Sequence, residues 1–256
     1  MIFIFKFISG LGNRLCNLMN MFYIHTIYPH ATYYVLWLEN HHCGANVSDL
    51  LDLSEYSWIR YDYDTIRPRY KAIELYAHTS IQQRTRWDTL DEWKKHPAIV
   101  STTHHLYLFV PLSFCQSMFA TLKYTPSVRT GVQANIAKYG LNRNICHFRK
   151  GDLLRLLDAE VKCYDRLVSK VKRIQETQDV LTIEYNKLEV VRPRDTVIES
   201  FSDMLFFAYH CNVIAFSPYS WFSSWIYLLN KKYSPEIPVF NYTIIDIITI
   251  GIRESL

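Results

Sequence analysis

Glycine is scarce in this chain, with 7 in 256 residues. Flexible Gly-rich linkers and collagen-like repeats are excluded by that shortage, and a segment that spends two glycines in one Gly-Leu-Gly stands out. Zinc-type spacing is missing as well. The 6 cysteines (Cys16, Cys43, Cys115, Cys146, Cys163 and Cys211) form no CxxC pair and no Cys/His set, so no metal is expected. They read instead as reduced, buried thiols of a cytoplasmic protein. No apolar run suffices for a signal peptide or an integral membrane segment: Lys6 interrupts the opening MIFIFKF, and Asp246 interrupts Thr243–Ile252. A strong excess of charge of either sign is lacking too, since 28 Lys and Arg face 24 Asp and Glu for a net +4. That balance speaks against nucleic acid as a partner and is compatible with a small anionic ligand. No internal repeat or low-complexity tract is visible.

What is present is a large apolar complement, 49% of residues, with 15% aromatic. A chain of this length can bury one large core or two smaller ones. Ile2–Ile8 reads as a buried strand, and Leu15, Leu18, Met19, Phe22 and Thr26 recur at helical spacing up to Pro29. Thr32–Leu38 is a second strand, so the chain opens as a βαβ unit. His41 to Lys95 is irregular, Ala98–Ser101 is a short strand, and Pro111–Tyr124 is helical with Phe114, Met118 and Leu122 on one face. The polar stretch Thr125–Asn144, which holds Pro126, Gly131 and Gly140, reads as a domain junction. Ile145–Phe148 begins a second α/β half. There Leu153–Thr177 has helical spacing, Val180–Tyr185 and Leu188–Val191 are strands, and Val197, Phe201, Leu205 and Ala208 mark a helix ending near His210. Val213–Phe216 is a strand, and Ser217–Ser220 turns into a helix from Trp221 to Leu229.

Three stretches carry chemistry. Gly10-Leu11-Gly12-Asn13-Arg14 joins the first strand to the first helix, where glycine lets backbone approach a ligand and free N–H groups face an anion. It is not GxGxxG, and its bland alternative is a tight turn with Asn13 capping the helix. In His147-Phe148-Arg149-Lys150-Gly151-Asp152, alternation puts His147 and Arg149 on one face of a strand end. Guanidinium forks and ammonium groups suit a diphosphate, whereas a surface ion pair is the alternative. Ser217 to Trp225 follows a strand and opens a helix, offering Ser220 and Ser223 to a second anionic group; an ordinary serine cap is the alternative. Phe222 and Trp225 should pack inward.

In this order GLGNRL, HFRKGD and SWFSSW resemble the fucosyltransferase group: the α-1,2-fucosyltransferases and their α-1,6 and protein-O relatives. The resemblance covers about twenty residues in three blocks. It implies an α/β protein of GT-B-like fold, two Rossmann-like halves facing a cleft. Residues 1–140 would form the acceptor side and 141–256 the sugar-nucleotide side, with the final segment packing back on the first half. The implied donor is a GDP-sugar, GDP-fucose in that family, the partner is a glycan acceptor, and no other cofactor is implied. Carried over by position, Arg149, Asn13 and His147 take catalytic roles. Gly10, Gly12, Arg149, Lys150, Asp152, Ser220, Phe222 and Ser223 would hold the sugar nucleotide. Lys150 stands where the group frequently has Arg, Arg14 where the α-1,2 enzymes have Gln, and Leu153 where Tyr is common.

Transfer without a metal needs fixed positive charge at the departing diphosphate, the role expected of Arg149 and Lys150. The acceptor hydroxyl also needs a base, and Glu39, His41, His42, Asp49 and Asp52 lie where an acceptor loop would be. Asp62-Tyr63-Asp64 has the DxD form of metal-using transferases but reads as loop. A non-catalytic nucleotide- or glycan-binding protein of the same fold, or a transferase using another sugar nucleotide, are the alternatives.

Overall fold

A computed structural model describes residues 1–62, 73–75, 98–102, 110–149, 169, 171–185, 192–216 and 221–230. The first strand, β1 (Ile2–Phe7), is buried along most of its length because all its residues but Lys6 are apolar. That composition suits the middle of a parallel sheet covered on each side. Helix α1 (Leu11–Ile27) follows, then β2 (Thr32–Trp37), a four-residue helix α2 (Val47–Leu50), β3 (Leu51–Asp52), β4 (Ile59–Arg60), β5 (Ile73–Leu75) and β6 (Ala98–Thr102). Five of these strands form one all-parallel sheet in the order β4-β2-β1-β6-β5. Rings register across it: Phe3 stacks on Tyr33 at 5.2 Å and Phe7 on Trp37 at 5.0 Å.

Helix α3 (Leu112–Thr121) leads into β7 (Lys123–Tyr124), which pairs antiparallel with β3. Helix α4 (Pro126–Tyr139) precedes β8 (Asn144–Arg149), β9 (Val180–Tyr185), α5 (Arg194–His210), β10 (Asn212–Phe216) and α6 (Trp221–Leu229). The second sheet is parallel in the order β10-β8-β9, so β8 is its middle strand. Strands, helices and order agree with the α/β reading of two parallel-sheet halves.

Two boundaries differ from expectation. The stretch expected as a polar junction is largely helix α4. Thr125 caps it by accepting from the Val128 N–H, Pro126 supplies a ready-made first-turn φ, and Gly140 ends it at φ +79°. Its apolar stripe (Val128, Val132, Ile136 and Tyr139) was in the sequence but was outweighed by polar neighbours. Helix α1 also begins four residues before Leu15, so Gly12 sits in its first turn and Gly10, not Asn13, is the N-cap.

Helices α4 and α5 cross closely at Gly131. A Cβ added there would lie 2.7 Å from Ser202 Cβ and closer still to its hydroxyl. Ser202 is buried and donates to Val128 O at 3.1 Å or to Ile198 O at 2.9 Å, while Asn135 Nδ2 donates to Asp203 at 2.7 Å. Overpacking such a contact typically costs about 1–3 kcal/mol. Gly131→Ala should therefore lower the melting temperature by several degrees, read by thermal unfolding; an unchanged transition would show that the crossing has slack.

Among the described residues one apolar cluster runs from Phe3, Phe5 and Phe7 through Leu15, Leu18 and Phe119 to Ile145, Phe201, Val213 and Leu229. Both sheets therefore bury their inner faces into one interior. Lys150, Gly151, Asp152, Ser217–Ser220, Leu188–Val191, most of Leu153–Thr177, Cys163, Tyr63, Asp64 and the tail after Asn230 lie outside the described residues.

Candidate active site between two strand ends

In each parallel sheet the middle strand has neighbours that leave in opposite directions: β2 and β6 flank β1, and β9 and β10 flank β8. Ligands of open α/β sheets bind beyond the carboxyl ends of strands at such reversal points. Gly10 to Arg14 follows β1, and His147 to Arg149 ends β8, so two of the three stretches reach these positions.

The end of β1 is fixed by side chains that reach back to it. Arg14 is 0% exposed, donates from Nε to Ser9 O at 2.6 Å and from Nη2 to Leu38 O at 2.7 Å, and lies 4.9 Å over the Trp37 ring. Its fork thus joins the segments that follow β1 and β2. Burial pulls its pKa down from the ordinary arginine value, opposed by the nearby Cys43 and Glu39. Asn40 Nδ2 bonds Ile8 O, while Asn40 Oδ1 accepts from the N–H of His42 at 2.9 Å and of Cys43 at 3.1 Å. Helix α1 begins on Gly10 in extended conformation with no side-chain cap and no acid in its first turn. Gly12 is buried and Asn13 half-buried there.

At the other strand end His147 is 1% exposed, and its Nδ1 lies 2.8 Å from the Ser223 hydroxyl. Arg149 pairs its backbone with Tyr185 of β9, and only its backbone is described. Ser223 is fully buried, so its hydroxyl engages the imidazole rather than open solvent. Phe222 is half-buried, with its ring 5.5 Å from that of His147. Trp225, expected only to pack inward, is 3% exposed and donates from Nε1 to Gly12 O at 3.0 Å. Helix α6 therefore touches both strand ends: the first stretch through Trp225 and the second through Ser223. No period or motif announces that pairing, because it spans residues 213 apart in sequence.

The polar residues after β2 have local partners. Asp49 accepts from Arg194 Nε and Nη2, each at 2.8 Å, and from the Asn46 N–H at 2.8 Å. Glu39 accepts from Asn46 Nδ2 at 2.6 Å. Ser54 donates to Asp52 and holds its carboxyl below the usual range. His41 and His42 lie with ring centroids 3.9 Å apart. Cys16, Cys43 and Cys115 are free thiols. Burial pushes Cys16 up and Cys115 up to about 12, so both remain protonated at neutral pH. Among the described residues no group of acids, histidines and cysteines is placed to hold a metal. No described helix is long and apolar enough to cross a membrane.

Solved structures share this architecture. NodZ, an α-1,6-fucosyltransferase co-crystallised with GDP, aligns over 89% of this chain and 92% of its own at a TM-score of 0.58 and 14% identity. POFUT1 in complex with GDP aligns over 93% and 96% at 0.53 and 10%. A variant of FUT1 from Arabidopsis thaliana, also with GDP, aligns over 90% and 68% at 0.54 and 12%. The fold is thus the GT-B fold of fucosyltransferases, as the three sequence blocks implied. No family model matches the sequence, and no curated protein does.

Proposed function

We propose that this protein is an inverting fucosyltransferase that needs no metal and moves fucose from GDP-fucose to a hydroxyl of a glycan acceptor. The observation that carries the reading is the convergence of three separated stretches on one helix: Ser223 on His147, and Trp225 on Gly12. The GT-B fold, shared with fucosyltransferases crystallised with GDP, supports the donor assignment. The buried thiols of Cys43 and Cys115 support a cytoplasmic setting.

In this reaction the bond between the fucose anomeric carbon and the β-phosphate oxygen breaks as the acceptor oxygen attacks from the opposite face. The acceptor proton leaves to a base. Arg149, at the end of β8, pairs the departing diphosphate oxygens bidentately, and Lys150 adds a second positive charge. His147, held by Ser223, fixes the strand end that presents Arg149. Asp152, Ser220 and Phe222 complete the nucleotide side, while Gly10, Gly12 and Asn13 face the sugar from the first half.

Thermal shift with GDP, UDP and dTDP tests the donor class. GDP at a hundredfold excess over its Kd should stabilise the protein by about 2.7 kcal/mol, with little response to the other two. Transfer from GDP-fucose should survive EDTA. Equal shifts with all three nucleotides, or activity lost to EDTA and restored by Mn²⁺, would count against the reading.

A further inference from the structure

We propose that Trp225 is a positioning residue that carries the setting of the nucleotide half to the sugar-facing turn of the first half. The inference rests on the function proposed above. Helix α6 is anchored to the second half at both ends. Ser223 meets His147 at its start, and just past its end the buried Asn230 donates from Nδ2 to Cys211 O at 2.8 Å, Ala208 O at 3.0 Å and Phe207 O at 3.2 Å. Those carbonyls belong to the end of α5 and the residue after it, so α6 is held at both ends by side-chain hydrogen bonds to the same sheet and its helix.

From this fixed helix the buried indole reaches across to the first turn of α1. Its N–H meets Gly12 O at 3.0 Å, and Phe119 of α3 packs 5.0 Å from its ring to fix the indole plane. Gln116 Nε2, also from α3, donates to Leu228 O at 2.9 Å and clamps the same helix further along. Gly12 directly precedes Asn13. With no side chain capping the start of α1, the indole bond to Gly12 O is a side-chain restraint on that first turn from the other half of the molecule. A displacement of about 1 Å between reacting groups costs on the order of a hundredfold in rate, whereas nucleotide affinity depends on the other side of the cleft. The effect belongs in turnover rather than in GDP binding.

Trp225→Phe removes the donor and keeps most of the ring. The measurements are GDP affinity by calorimetry and GDP release from GDP-fucose, with water and with galactose- and N-acetylglucosamine-terminated oligosaccharides as acceptors. A melting curve confirms that the variant is folded. The expected result is a GDP Kd within about twofold of wild type and a kcat lowered about tenfold or more. Trp225→Tyr, which keeps a donor at the ring edge, should recover part of the loss. Unchanged turnover in Trp225→Phe would overturn the inference, and so would a parallel loss of GDP affinity, which marks a merely structural residue. Wild-type protein that fails to bind GDP, or binds it and releases none from GDP-fucose with any acceptor, would remove the proposed function and this inference with it. A failure confined to the variant removes the inference alone.

Discussion

Arg149→Ala should lower turnover of GDP-fucose by about a hundredfold or more while leaving the melting temperature close to wild type. A hundredfold corresponds to about 2.7 kcal/mol of transition-state stabilisation, within reach of one charge-assisted, bidentate contact to the departing diphosphate. Stability should hold because Arg149 joins the sheet through its backbone, in register with Tyr185, and that pairing survives loss of the side chain. Arg149→Lys keeps the charge and loses the fork, so it should fall between wild type and alanine. Steady-state release of GDP, with a thermal melt in parallel, is the measurement. Turnover near wild type in the alanine variant would take the guanidinium out of the reaction.

The largest effect on stability should come from Arg14. Its guanidinium is buried and has no carboxylate within ion-pair distance among the described residues; its partners are the carbonyls of Ser9 and Leu38. Arg14→Met removes both donors from carbonyls just beyond β1 and β2. The Ser9 carbonyl, left buried without a partner, costs about 1–3 kcal/mol, while the part-exposed Leu38 carbonyl can turn to water and loses less. Relief from burying a charge works in the opposite direction. The stranded Ser9 carbonyl, the lost bond at Leu38 and the lost contact with Trp37 outweigh it, for a net loss of about 2–4 kcal/mol. For a protein of this size that lowers the melting temperature by roughly 5–15 °C. Arg14→Lys should destabilise comparably, because one ammonium cannot span both carbonyls in the geometry of the fork. A lysine variant that melts like wild type would show that charge, rather than the fork, holds the two strand ends together.

Regular elements were legible where periodicity is local. β1, β2, β9, β10, α5 and α6 fall within a few residues of the positions expected from apolar spacing. Helix α4 was not legible: its stripe is only one residue wide per turn, and a glycine at its centre reads as a breaker until the close crossing with Ser202 is known. Helix α1 starts earlier than its two glycines suggest, because the second is accommodated inside the helix. At the site, the strand that ends in the His147 motif and the helix that opens at Trp221 were legible as elements. What the sequence could not carry was partnership. Ser223 reads as a hydroxyl for a ligand, yet its neighbour is His147. Arg14 reads as a departure from a family pattern, yet it closes two strand ends. Both facts depend on which side chains meet across the fold, which neither period nor motif encodes.

The shared apolar interior beneath the two sheets bears on how far the halves can move. Phe3, Leu15 and Phe119 of one half lie in the same cluster as Ile145, Phe201 and Trp225 of the other. Wide swinging of one half against the other would strip those contacts and wet the surface they cover. Were the proposed nucleotide sugar the donor, its entry and exit would then rely on small local rearrangements, with the framework standing still.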